Sequence, residues 1–195
     1  MKIRLLFLAL AIGIGLVGLV SAQEDDPVEE ISPGRFEVRS AYTELQDGVY
    51  FLNAKLDYEL SDAAKEALHN GLSLTMEMQI EVLRPRRFWF DREVFTLNQR
   101  HELTFQALSE RYTVKNLNSG DLTSFSTLES ATETLGTVRH LPFLDEALLR
   151  PDKRYDVRLR GVLDTRELAG PLRLLTFFWD QWRLTSDWYT WPLRI

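Results

Sequence analysis

Hydrophobic and polar residues alternate at every second position over several stretches of the chain, which is the pattern of half-buried β-strands. The clearest stretch runs from Tyr50 to Leu60, where apolar side chains share one face and Asn53, Lys55 and Asp57 share the other. A preceding run joins it through Gln46-Asp47-Gly48, and Asp-Gly is a strong hairpin signal. The pattern therefore predicts a β-hairpin near the start of the folded part.

Further strands are predicted by the same alternation, and Pro85 should end or bulge one of them because it cannot donate to a ladder. They cover 72–83, 88–97, 100–107, 111–117, 155–163 and 182–191. Two short helices interrupt them. One runs from a Ser61 cap to Gly71, and the other opens with the capping box Ser126-x-x-Glu129 and ends at Gly136.

The whole pattern contains about eight strands and two or three short helices, counting a possible helical turn between Pro142 and Pro151. The predicted elements do not alternate strand, helix, strand, as they would in a parallel sheet. An all-β, mainly antiparallel β-sandwich fits best. The alternative is an α+β fold with a curved antiparallel sheet and its helices on one face.

The N-terminal residues have the features of an export signal. Lys2 and Arg4 precede an uninterrupted apolar or glycine run over 5–20, and Val20-Ser21-Ala22 supplies compact residues for signal peptidase. We therefore expect a signal peptide over 1–22, cleavage before Gln23 and delivery to the periplasm. The alternative is an uncleaved signal that anchors the chain in the inner membrane. The acid-rich segment 23–34 is predicted as a linker, and 35–195 as one β-rich domain.

Composition excludes several classes of function. The 195 residues contain no cysteine, which excludes disulfides, thiolate metal sites and a cysteine nucleophile. The net charge is −6, and removal of 1–22 takes away two basic and no acidic residues, so it becomes −8. An acidic chain argues against general binding to nucleic acid.

Candidate chemistry is sparse. His69, His101 and His140 lack a paired metal-ligand spacing, and no phosphate loop or nucleophile elbow is present. We predict neither a metal site nor a cofactor. Asp91 and Glu93 would place two carboxylates on one strand face about 7 Å apart, as a hydrolase needs. Ordinary surface ion pairing with the nearby arginines is the other interpretation.

A basic and aromatic stretch follows Leu83, with the sequence Arg84-Pro85-Arg86-Arg87-Phe88-Trp89-Phe90. Its arginines could attract anionic headgroups or an acidic partner while its aromatic rings insert. The alternative is a strand connection with exposed arginines followed by core aromatics.

Four of the five tryptophans fall in the last 17 residues. Strand alternation would place Trp182 and Trp188 on one face and Trp191 on the other, so they cannot all enter one core. The C-terminal region is therefore our best candidate for an interaction surface, with core packing as the alternative. Together with the basic stretch, the predicted interaction surface comprises Arg84, Arg86, Arg87, Trp89, Trp179, Trp182, Trp188 and Trp191.

The order of these features resembles a known family. An export signal precedes the hairpin, the Gly71 helix, Phe88-Trp89-Phe90-Asp91 and the closing Trp182-Arg183-Leu184-Thr185-Ser186-Asp187-Trp188-Tyr189-Thr190-Trp191-Pro192. In these motifs the chain is similar to the exported Gram-negative domain-of-unknown-function family DUF4390, over nearly all of 35–195. The family has no established activity or catalytic positions. Its genes often lie beside a membrane sensor kinase of the nitrogen-regulation type, which implies a role near envelope sensing.

Three functions remain open at this point. The first is a non-enzymatic periplasmic module that binds a protein partner, such as the sensor kinase implied by the family. The second is a carrier that holds a lipid or sugar between its sheets, which requires a cavity of several hundred Å³. The third is a hydrolase that uses Asp91 or Glu93.

Overall fold

The computed structural model describes residues 32–87, 90–164 and 184–194. Within them lie nine strands, two α-helices and one 3₁₀ helix. The strands are β1 (Arg35–Gln46), β2 (Val49–Glu59), β3 (Leu74–Arg84), β4 (Arg92–Gln106), β5 (Arg111–Asn116), β6 (Leu122–Phe125), β7 (Thr137–Asp145), β8 (Tyr155–Asp164) and β9 (Tyr189–Leu193). The helices are α1 (Asp62–His69), α2 (Leu128–Leu135) and the 3₁₀ helix Glu146–Leu148. The predicted signal peptide and most of the acidic linker lie outside the described residues.

The strands form two antiparallel sheets. A three-stranded sheet has the order β1-β2-β7, and a six-stranded sheet has the order β6-β5-β4-β3-β8-β9. The hairpin predicted from Asp47-Gly48 is confirmed, since both residues adopt positive φ angles of 51° and 79°, as its two-residue turn requires.

The core lies between the sheets and is built from the inward faces predicted by the alternation. Tyr50, Leu52 and Leu56 of β2 are almost fully buried against Ile80 of β3 and Leu159 of β8. The antiparallel β-sandwich prediction is therefore confirmed. At about 25 cal/mol per Å² of buried apolar surface, this core can stabilise a domain without disulfides.

Both predicted helices are present, with one cap corrected. The Ser61 side chain accepts from the Ala64 N–H, and Gly71 closes α1 with a φ of 84°. In α2 the capping residue is Thr127, which accepts from the Ser130 N–H, and not Ser126. The predicted N-cap lies one residue too early, because Ser126 and Thr127 carry the same hydroxyl acceptor, and with Thr127 as the cap Ser130 takes the position that a capping box gives to Glu or Gln.

The alternating pattern does not predict two of the strands, and it predicts a third as two separate strands. β6 and β7 lack a clean alternation, and β7 pairs with β2 through two register shifts. The stretches predicted over 88–97 and 100–107 belong to one 15-residue strand, β4, which begins at Arg92. Among the described residues, no helix is long and apolar enough to cross a membrane.

Candidate functional site

A cleft opens between the two sheets because the six-stranded sheet is wider than its partner. Its volume is about 310 Å³. Strands β3 to β6 form one wall, while β2, β7 and the last turn of α2 form the other. We call this space the inter-sheet cleft. Its size falls at the lower end of the range for small-molecule sites.

Two polar residues of β4 occupy positions that face this cleft. Gln99 pairs with Met78 of β3, and His101 pairs with Met76, so both belong to the inward face. Their side chains make no hydrogen bond with any described residue. Both are only partly exposed. Burial lowers the pKa of the His101 imidazole, which keeps the ring neutral near pH 7. These groups are therefore available to a cleft occupant.

One part of the cleft lining is an apolar wall, and the remainder carries the polar side chains of an asparagine and three threonines. Met76, Met78, Val114 and Phe125 come from the large sheet, while Leu135 and Leu141 face them from α2 and β7. An occupant would therefore gain stability by burying apolar surface.

Tyr58 crosses from β2 to the large sheet beside this apolar wall. A Cβ atom at Gly161 would lie 2.6 Å from its Cε1 atom, so the ring rests on the β8 backbone. Burial raises the pKa of the Tyr58 hydroxyl, because the charged form loses its hydration. The phenol is thus a neutral group of the cleft wall.

Two charged residues, Arg139 and Asp121, also line the cleft. Arg139 of β7 is exposed, and its side chain forms no ion pair or hydrogen bond with the described residues. Asp121, in the turn before β6, accepts a 2.6 Å hydrogen bond from the Ser119 hydroxyl. The carboxylate is therefore partly satisfied by its own turn, whereas the guanidinium is available.

The predicted interaction surface is only partly described. Trp89, Trp179 and Trp182 lie outside the described residues. Arg84 ends β3, and Arg86 and Arg87 follow in the exposed connection to β4. Phe90 is 96% exposed in the same connection. The described part of the basic and aromatic stretch is therefore a surface loop.

Trp188 and Trp191 lie on opposite faces of the large sheet, as alternation predicted. Trp191 pairs with the buried Val157 on the inward side and packs against the core. Trp188 lies on the outward side, with the guanidinium carbons of Arg158 and Arg160 4.3 and 4.2 Å from its ring centroid. These two tryptophans therefore cannot act as one surface.

Asp91 and Glu93 are both exposed, and neither lines the inter-sheet cleft. One Asp91 oxygen accepts a 3.2 Å hydrogen bond from the Arg86 backbone N–H. This carboxylate therefore helps to hold the conformation of the loop. Among the described residues, no group of three or more histidines and carboxylates is arranged to hold a metal ion.

The carrier hypothesis requires a cavity, and the pattern of residues along the chain gives no location for one. The only signal was the break in alternation near Asn98, where polar residues take positions that an apolar strand face would fill. The predicted strands over 88–97 and 100–107 leave this position between them. Only the pairing of β4 with β3 shows that the polar residues face inward.

The described fold is an antiparallel β-sandwich with a half-open cleft between its sheets. The family model for the domain of unknown function DUF4390 matches residues 34–192, so the chain belongs to this family. No curated protein and no solved structure matches the chain.

Proposed function

We propose that this protein is an exported, non-enzymatic binding module whose inter-sheet cleft holds a small ligand. The observation that carries the proposal is the placement of Gln99 and His101. Both side chains are only partly exposed and have no hydrogen-bond partner among the described residues. Polar groups that converge beside an apolar wall are typical of a ligand site.

A cleft-filling variant tests this proposal. Thr123 lines the cleft from the exposed edge strand β6, so Thr123→Trp should fill the space with little cost to the core. Ser124 is its neighbour on the outward face, and Ser124→Trp is the matched control. The probe is the fluorescent anion anilinonaphthalene sulfonate.

The purified protein should enhance the fluorescence of the dye, and Thr123→Trp should abolish most of this enhancement. Ser124→Trp should retain it. If both variants bind the dye as the unmodified protein does, the cleft is not the binding site and the proposal fails.

A second proposed function is docking to a protein partner in the envelope, which extends the sensor-kinase neighbourhood implied by the family. Its support is the loop after β3, where Phe90 is 96% exposed beside the exposed Arg86. Aromatic and arginine side chains are the types enriched at interfaces.

Crosslinking in intact cells tests the docking proposal. A sensor kinase should be recovered with the unmodified protein and lost with the double variant Arg86→Glu and Phe90→Ser. Leu108 is equally exposed at the turn between β4 and β5, so Leu108→Ser is the control and should keep the complex. Recovery of the kinase with all three proteins would contradict a role for the loop.

Export is also part of the proposal, and its support is the pattern of Lys2, Arg4 and the apolar run over 5–20. Fractionated cells should contain the protein in the periplasm, with a mature chain that begins at Gln23. A full-length chain in the membrane fraction would instead indicate an uncleaved anchor. A chain retained in the cytoplasm would contradict export.

A further inference from the structure

The size of the inter-sheet cleft limits its occupant. Its volume of about 310 Å³ lies at the lower end of the range for small-molecule sites. A small aromatic or short aliphatic compound fits within that volume.

The charged groups of the cleft favour an anionic headgroup. Arg139 has no carboxylate partner among the described residues, whereas Asp121 already accepts from Ser119. A guanidinium binds a carboxylate through two parallel hydrogen bonds. A phosphate would bring nearly two negative charges beside one arginine and one aspartate. A carboxylate is therefore the better match.

The polar pair inside the cleft calls for a second polar group on the ligand. The Gln99 amide can both donate and accept, and the neutral imidazole of His101 can donate from one nitrogen and accept at the other. A hydroxyl group satisfies such a pair. The apolar side chains Met76, Met78 and Val114 lie next to them, so the body that carries this hydroxyl should be apolar.

We propose that the inter-sheet cleft binds a small amphipathic carboxylate that carries a hydroxyl group on its apolar body. Arg139 binds the carboxylate, Gln99 and His101 bind the hydroxyl, and the apolar wall buries the body. This inference rests on the proposed function of the cleft and specifies its ligand class.

Three related probes test the assignment by isothermal titration: hydroxycinnamate, its amide and cinnamate. The first differs from the second in its headgroup, an anionic carboxylate in place of a neutral amide, and from the third only in the hydroxyl. The protein should bind hydroxycinnamate about tenfold more tightly than either, the loss expected for one good polar contact.

Variants assign each preference to its residue. Arg139→Gln should remove the preference for acid over amide, while Arg154→Gln, an exposed arginine on the loop before β8, should keep it. Gln99→Leu should remove the preference for the hydroxyl and keep the preference for the acid. The ring resonances of His101 should shift on binding, while those of His69, which is hydrogen-bonded to Tyr112, should not.

The possible failures are distinguishable. If the dye binds in the cleft but the three probes bind equally or not at all, the ligand class is wrong and the proposed function stands. If Arg139→Gln keeps the acid preference, the headgroup assignment is overturned. If neither dye nor probe responds to Thr123→Trp, the proposed function itself fails.

Discussion

The aromatic ring of Tyr58 rests directly on the backbone of Gly161, and this contact joins the two sheets beside the cleft. A Cβ atom at position 161 would lie 2.6 Å from Cε1 and 3.2 Å from the hydroxyl oxygen of Tyr58. The hydrogen of glycine is therefore what permits the close approach of the two sheets here.

Gly161→Ala should lower the free energy of unfolding by about 1–3 kcal/mol, because the new methyl group displaces the Tyr58 ring. Urea denaturation measures the change. In the background of Tyr58→Leu the same substitution should cost at least about 0.5 kcal/mol less, since the clashing ring is absent. Additive costs in the double variant would show that the two residues do not interact.

Gly136→Ala should be more damaging than Gly161→Ala. Its Cβ atom would lie 2.0 Å from the backbone oxygen of Leu56, whose N–H donates a 2.7 Å hydrogen bond to the Gly136 oxygen. A backbone carbonyl in a paired strand cannot move aside as a side chain can, so a loss of about 3 kcal/mol or more is expected. Reduced yield of folded protein would be the simplest sign.

Gly71→Ala is the control for this experiment. A Cβ atom there meets nothing within 4 Å, and only the positive φ of 84° opposes it. Gly71→Ala should lower the free energy of unfolding by about 1–2 kcal/mol, because a residue with a Cβ atom is strained in the left-handed conformation. An equal loss at positions 71 and 136 would argue against the steric explanation.

Thr127→Ala should destabilise the protein by about 1 kcal/mol, because it removes the hydroxyl that accepts from the Ser130 N–H at the start of α2. Ser126→Ala is the matched control and should change stability by less than about 0.5 kcal/mol. Thermal unfolding of both variants measures the difference. A larger loss of stability in Ser126→Ala than in Thr127→Ala would instead support the Ser126 cap predicted from the sequence.

Acid should weaken the fold partly through His101. Burial lowers the pKa of its imidazole below the ordinary value of 6.5. The unfolded chain therefore takes up the proton first as the pH falls through 6.5. The free energy of unfolding then decreases until the pH is below the lower pKa of the folded state.

His101→Gln should reduce this loss, since the amide does not titrate in that range. Urea denaturation at about pH 7.5 and about pH 5 compares the two proteins, and every other titrating group is common to both. Parallel losses of stability in the two proteins would contradict the assignment to His101.

The local features were predictable because their signals lie within a few residues of each other. Asp47-Gly48 determines a turn through its own backbone freedom, and Ser61 caps α1 through a contact with Ala64. The burial of β2 and β8 follows from alternation along each strand. The strand β7 was not predictable, because two register shifts against β2 remove the period of two that identifies a strand.

The sequence by itself determined that the chain forms antiparallel strands with caps and tight turns, since those depend on neighbouring residues. Only the tertiary structure decided that Gln99 and His101 face inward, that Tyr58 meets Gly161 and that Trp188 and Trp191 are separated by a sheet. These relationships depend on which strands pair and in which register. That choice is made by the packing of segments distant along the chain, where the burial of the whole apolar face outweighs the preference of any single residue.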